Sequence, residues 1–261
     1  MEQPRRPGLA GWGPLVRLRR RWSRWDTALL LGSLVLLAGA GLPLPGYSVG
    51  PGPTRAVDEV IETADIEVFP PAGDVLLATV ALHPLSPFRA LQAWLDGDIT
   101  TVQLDDVVSS EVRAEDMQES RNLAVTVALE RLGVPQSGPG EAALVDIEAA
   151  GVDGNSAGLA FTLGILDLLT PGELTGGLRI GVSGTIEDDG DVGPVGSIGL
   201  KTVAMREAGA DTFLVPAGQG SEAAALADGL EIVEVSTLDQ ALAELERLGG
   251  DRLPRGPDGA G

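Results

Sequence analysis

The longest uninterrupted apolar stretch is ALLLGSLVLLAGAGLPL, from Ala28 to Leu44, which contains no charged residue. As a helix it would reach about 26 Å, enough to just cross a bilayer. Past the Gly/Pro-rich stretch from Gly46 to Pro53, the apolar runs become short and are bounded by Pro or Gly. Ile66-Glu67-Val68 and Val75 to Leu82 therefore read as strands. Pro87 opens a short helix through Trp94. Ala114 to Leu132 predicts a longer one, with acids near its start and Arg131 near its end, the order that suits the helix dipole.

Gly133 to Gly140 is a turn-rich connection, and Ala142 to Ala149 is a strand candidate leading into Gly151-Val152-Asp153-Gly154-Asn155-Ser156. Ser156 to Leu169 holds one charged residue, Asp167, and stops at Pro171-Gly172, which predicts a helix buried nearly all round. Leu178, Ile180 and Val182 alternate with Arg179, Gly181 and Ser183 as in a half-buried strand, and Asp189-Gly190 turns a hairpin into Val192 to Val195. A helix over Gly199 to Ala208, strands over Thr212 to Val215 and Leu230 to Val235, and a helix over Leu238 to Leu248 complete the pattern, with a disordered tail from Gly249. There is no internal repeat. The mixture predicts an α+β or α/β sandwich.

Charge divides the chain. Residues 1–45 carry seven Arg against Glu2 and Asp26, a net +5, whereas residues 46–261 carry −25. So acidic a body repels nucleic acid phosphates and anionic lipid headgroups, which argues against nucleic acid, and against anionic lipid, as a partner of the main domain. The Arg cluster from Arg17 to Arg24, with Trp22, Trp25 and Tyr47 bracketing the apolar run, predicts a signal anchor with a cytoplasmic N-terminus and an extracytoplasmic domain. The competing reading is a cleaved signal peptide, since Ala38-Gly39-Ala40 has the small residues a signal peptidase accepts. The chain has no cysteine, which removes disulfides, thiolate zinc sites and a cysteine nucleophile.

Lysine occurs once, at position 201, against 17 arginines. A desolvated lysine can lose its proton near neutral pH and act as a base, which arginine cannot. The plain alternative is a survivor of composition bias. Ser156 stands where a Gly-rich turn feeds the N-terminus of an apolar helix, a place where backbone N–H groups converge and an oxyanion can be held. For it the plain alternative is an ordinary helix cap. Gly154-Asn155-Ser156-Ala157-Gly158 also fits G-x-S-x-G, but a hydrolase triad needs a histidine after the nucleophile, and the only one, His83, precedes it in a loop-like stretch. Gly193 to Thr202 ends in Lys-Thr like a phosphate loop, yet Leu200 occupies the place where that loop needs glycine. The acids at 187–189 and 191 do not match a calcium loop.

Asp153-Gly154-Asn155-Ser156-Ala157-Gly158-Leu159 resembles the D-G-P-S-A-G signature of Lon proteases, family S16. Ser183-Gly184-Thr185-Ile186, Gly190 through Lys201, and Ala208-Gly209-Ala210-Asp211 to Pro216 resemble successive blocks of the same catalytic domain. Gly73-Asp74-Val75-Leu76-Leu77 and Met117-Gln118-Glu119-Ser120 resemble its early strand and first helix. The resemblance places Ser156 and Lys201 on the family's Ser/Lys dyad. It gives Asp153, Gly154, Asn155 and Ala157 supporting positions around the nucleophile. Ser183 stands where the family has a Thr whose hydroxyl contacts the lysine, and Asn155 replaces the usual Pro. The anchor followed by Tyr47 to Pro53 is similar to the membrane-bound, ATP-independent, PDZ-carrying YlbL type, although only the short 133–140 connection stands where the PDZ module would lie.

These expectations combine into an α+β Lon proteolytic fold behind one transmembrane helix. The segments are a basic stretch over 1–27, an anchor over 28–45, a linker with the first strand over 46–73, the proteolytic domain over 74–248 and a disordered tail over 249–261. The function expected is ATP-independent endopeptidase action on unfolded, membrane or exported polypeptides, with no cofactor and no metal. The alternative is a non-catalytic, membrane-tethered peptide-binding scaffold. A ring-forming homo-oligomer or a separate substrate-delivery partner is further implied by the resemblance.

Overall fold

The structure, a computed structural model, describes residues 23–40, 42, 44–64, 66–95, 100–102, 110–134, 144–149 and 154–253. The chain divides into two compact units, Met1–Leu42 and Pro43–Gly261. In the first, α1 (Arg24–Ala40) opens on a reciprocal cap: Ser23 N donates to Asp26 Oδ2 at 2.9 Å and Asp26 N donates to Ser23 Oγ at 3.1 Å. The helix thus starts among charged residues and ends ahead of Pro43, leaving 17 residues, of which Leu29, Leu30, Leu31 and Leu34 are exposed. Among the described residues no helix is long and apolar enough to cross a membrane, so the spanning helix expected over 28–45 is not found as such.

The second unit runs β1 (Tyr47–Pro51), β2 (Arg55–Ala56), a 3-10 turn, β3 (Ile61–Thr63), β4 (Asp74–Leu77), β5 (Val80–Pro84), α2 (Pro87–Leu95), β6 (Thr100–Val102), α3 (Ser110–Leu132) and β7 (Val145–Ile147). It continues with α4 (Gly158–Leu169), β8 (Arg179–Val182), β9 (Thr185–Ile186), β10 (Val192–Gly193), α5 (Ile198–Glu207), β11 (Thr212–Pro216), α6 (Gly220–Ala224), β12 (Glu231–Val235) and α7 (Leu238–Arg247). The central sheet has the order β12-β11-β8-β4-β2, parallel except for β2 at one edge.

Both faces of this sheet are covered, which is why its central strands β4, β8 and β11 are almost wholly buried, while the edge strands β2 and β12 are not. Val75 and Leu77 of β4, Ile180 and Val182 of β8 and Leu214 of β11 join a core with α3, α4 and α7. The alternate residues Leu76, Phe213 and Val215 join a second core with Ile198 and Met205 of α5 and Ala223 of α6. Gly181 lies between these layers: a Cβ there would come 2.5 Å from Met205 Sδ, so the glycine lets α5 lie directly on β8. The half-buried strand expected around Ile180 is therefore buried on both sides.

Other differences have local causes. The single strand expected over Val75 to Leu82 is two, β4 in the central sheet and β5 paired with β1 in a separate sheet of order β5-β1-β6. Residues 46–73, expected to be linker and one strand, hold β1, β2 and β3, each paired with a strand distant in sequence. Ile66 to Val68 is not a strand; the chain there is steered by Phe69 N donating to Leu168 O at 2.8 Å. Of the tail expected to be disordered, residues 249–253 are held by hydrogen bonds and residues 254–261 lie outside the described residues: Gly250 N donates to Leu245 O at 2.9 Å, and Asp251 and Glu173 exchange two hydrogen bonds. His83, expected in a loop, is exposed but lies within β5.

Candidate active site

Three separate elements bring side chains to the carboxyl end of β8, the edge at which open parallel sheets place their sites. Ser156 lies in the turn that precedes α4. Gly154 in that turn has φ +91°, a left-handed conformation that favours glycine. Ser183 follows the last residue of β8, and its N–H donates to Leu214 O of β11 at 3.1 Å, holding it in the frame of the sheet. Lys201 lies in the first turn of α5, after Ser197, which adopts a left-handed φ of 57°.

The backbone of the turn is clamped from two sides. Gly184 N donates to Ser156 O at 3.0 Å and Leu159 N donates to Gly184 O at 3.1 Å. Ser183 Oγ donates to Ser156 O at 3.3 Å. From α3, Ser120 Oγ donates to Asn155 O at 3.3 Å. Gly158 permits this approach, since a Cβ there would lie 2.9 Å from Ile186 Cγ2 and 3.2 Å from Ser120 Oγ. Ser156 does not cap α4: Ala157 holds the cap position, and there is no side-chain cap hydrogen bond. The plain helix-cap reading of Ser156 is thus removed.

The Ser156 hydroxyl instead faces the lysine. Lys201 Nζ lies 2.7 Å from Ser156 Oγ and 3.0 Å from Ser183 Oγ. Lys201 is only 3% exposed, and burial lowers its pKa from 10.5 to about 8. The direction of the short hydrogen bond depends on charge: an ammonium donates to Ser156 Oγ, whereas a neutral amine accepts the hydroxyl proton. Because Ser183 Oγ directs its proton to Ser156 O, its lone pairs are left to receive an amine N–H. A neutral Lys201 can then donate to Ser183 while its own lone pair faces Ser156.

Of the residues singled out from sequence, Ser156, Lys201 and Ser183 converge, and Gly154, Asn155 and Ala157 form the turn that carries Ser156. Asp153 lies outside the described residues. Ser120 and Gly184 carry no chemical signal of their own in the sequence, although both fall within the motif blocks. Their contribution is made through the backbone of the turn, which composition and spacing do not reveal. Among the described residues no group of three or more His, Cys, Asp or Glu side chains could hold a metal.

A buried lysine beside a serine hydroxyl, at the carboxyl end of a strand, defines a site with the parts for acyl transfer by a hydroxyl nucleophile and an amine base. Comparison with known proteins agrees with that class. The family model for the Lon protease (S16) C-terminal proteolytic domain matches residues 106–246, so this chain belongs to that family. It is also 27% identical over 252 residues to a Lon protease of Roseiflexus castenholzii (strain DSM 13941 / HLO8), an alignment covering 86% of this chain. The chain spans about 29% of the length of that relative.

Proposed function

We propose that this protein is a serine endopeptidase that cleaves polypeptides without ATP, using Ser156 as nucleophile and Lys201 as general base. The observation that carries this reading is the 2.7 Å separation between a serine hydroxyl and a buried lysine amine whose pKa is lowered to about 8. The neutral amine accepts the Ser156 proton as Oγ attacks the peptide carbonyl, and the carbonyl π electrons move to its oxygen. An N–H of the turn around Ser156 stabilises that oxyanion. Collapse of the intermediate expels the amine half of the substrate, which takes the proton from Lys201, and leaves an ester on Ser156. Water, deprotonated by Lys201, then attacks the ester, and as the acid half leaves Lys201 returns the proton to Ser156 Oγ. Ser183 acts as a positioning residue for the amine.

Unfolded, membrane or exported polypeptides are the proposed substrates, and a homo-oligomeric ring or a separate delivery protein the proposed means of selecting them. Sedimentation of the purified protein tests the ring. Nucleotide-free cleavage of an unfolded protein, compared among wild type, Ser156→Ala and Lys201→Ala after each is shown to be folded, tests the activity. Cleavage by wild type alone is expected. Equal cleavage by either variant would refute the dyad, and none by any variant would favour the scaffold alternative.

The protein is further proposed to reside at the cell membrane, its N-terminus cytoplasmic and residues 46–261 outside. Support comes from the Arg cluster on one side of the uncharged run and from the exposed leucines of α1. Since no described helix is both long and apolar enough to cross a membrane, the test is topological: protease added outside intact spheroplasts should degrade the domain, and protection of the domain would refute the orientation.

A further inference from the structure

We propose that α2 is a second membrane-contact element, laid on the lipid surface by the apolar stripe of Phe88, Leu91, Trp94 and Leu95. The inference rests on the membrane location proposed above but concerns a surface of the folded unit. Positions 88, 91 and 95 have the i, i+3, i+7 spacing of one helix face, with Trp94 beside them. On a helix that covers a core this face points inward. Here it points out: Phe88, Leu91, Trp94 and Leu95 are 57%, 51%, 80% and 70% exposed, and none of the nine residues of α2 is buried. The half-buried residues within the helix are Arg89, Ala90 and Ala93, so α2 rests on its small-residue side.

Position and side-chain chemistry select lipid as the occupant. Leu44 N donates to Leu85 O at 2.8 Å and Leu85 N donates to Gly46 O at 3.0 Å, so the segment arriving from the apolar N-terminal run is tied down two residues before α2 begins. Apart from Val68 and Leu226, the large exposed hydrophobic side chains of the described second unit all lie at position 44 or within 82–95. The surrounding body carries −25 and Asp96 and Asp98 directly follow the helix, so the contact is made by the apolar side chains and not by charge; Pro87 to Leu95 itself holds one Arg and no acid. Tryptophan is suited to the boundary between headgroups and acyl chains. A helix as short as α1 anchors weakly, and a second apolar contact turns weak binding into stable binding.

The chain has four tryptophans, at 12, 22, 25 and 94, which gives a direct test. Two full-length variants are reconstituted with vesicles of brominated phosphatidylcholine, after circular dichroism shows both folded. One has Trp12, Trp22 and Trp25→Phe, leaving Trp94 as the reporter; the other has Trp12, Trp22 and Trp94→Phe, leaving Trp25. Blue-shifted Trp94 emission that the bromolipid quenches by about half is expected, with Trp25 quenched as well. Quenching of Trp25 but not Trp94 would overturn the α2 inference alone. Quenching of neither would overturn both it and the membrane location. A blue shift of Trp94 without bromolipid quenching would mean that protein covers the stripe, a second copy or residues 96–109, and would also overturn it.

Discussion

Replacing Lys201 with methionine should abolish cleavage and at the same time stabilise the protein near neutral pH. A lysine whose pKa is 10.5 unfolded and about 8 folded binds its proton less well in the native state. Below pH 8 both states carry the charge, and the fold bears the full cost of desolvating it. At 1.36 kcal/mol per pH unit, the interval of two to three units corresponds to about 3 kcal/mol. As pH rises from about 8 to 10.5, the native amine is neutral while the unfolded one progressively loses its proton, and the cost fades. Methionine keeps the length and apolar stem of lysine without the charge, but loses the hydrogen bonds to Ser156 and Ser183, which returns about 1 kcal/mol. A net gain of about 2 kcal/mol at pH 7 follows, a rise in Tm of roughly 4–8 °C for a unit of this size. The assay is thermal unfolding of both proteins by circular dichroism at pH 7 and pH 10.5. A gain equally large at both pH values, or no gain at pH 7, would refute the claim that Lys201 is held desolvated.

The wild-type rate of cleavage should rise about tenfold from pH 7 to pH 9 and level off above, following the neutral fraction of a base with pKa near 8; a profile flat across that range, in a pH-rate series, would contradict the assignment. Asp167, buried in α4 with its carboxylate accepting from Leu174 N at 3.0 Å, has its pKa raised to about 6 by burial. Its contribution is present at acid pH and is lost as pH rises from about 4 through 6, so Asp167→Asn should flatten that fall and stabilise by up to about 3 kcal/mol at pH 7, as read by urea denaturation across pH. Gly158→Ala should cost about 1–3 kcal/mol and lower kcat sharply, because its Cβ would lie 2.9 Å from Ile186 Cγ2 and 3.0 Å from Ile186 N and would push the Ser156 turn off its clamp; unchanged kcat would argue against the packing described. Thr237→Ala should cost about 1 kcal/mol in thermal unfolding with kcat unchanged, since Thr237 Oγ1 caps α7 by accepting from Gln240 N at 3.1 Å far along the chain from the dyad.

The centre of the site is legible in the amino-acid sequence because its signal is chemical. One lysine among 17 arginines singles out position 201 as a candidate for an amine able to lose its proton, and Ser156 sits in a glycine-rich turn before an apolar helix. The long helices α3, α4 and α5 are legible from their composition and breakers to within a few residues. What is not legible depends on pairing over distance. The strands of two or three residues at 55–56 and 61–63 have too little pattern to announce themselves, and they exist because β4 and β7 offer partners. The break between Leu77 and Val80 is invisible in a continuous apolar run, yet it sends β4 and β5 into different sheets. The alternation around Ile180 suggests one wet face, but Gly181 is polar only in the sense of lacking a side chain, and it is covered by Met205. At the N-terminus, apolar length suggests a span, whereas the Ser23 and Asp26 cap fixes where the helix begins.

The central claim is that Lys201 makes Ser156 a nucleophile, and it is tested most directly by covalent labelling. A peptidyl β-lactone is incubated with the wild-type protein at several pH values, and the adduct is located by mass spectrometry. A single acyl adduct on Ser156 is predicted, forming faster as pH rises through about 8 and lost in Lys201→Ala. Labelling at another serine, or labelling of Ser156 that proceeds undiminished without the lysine, would contradict the account.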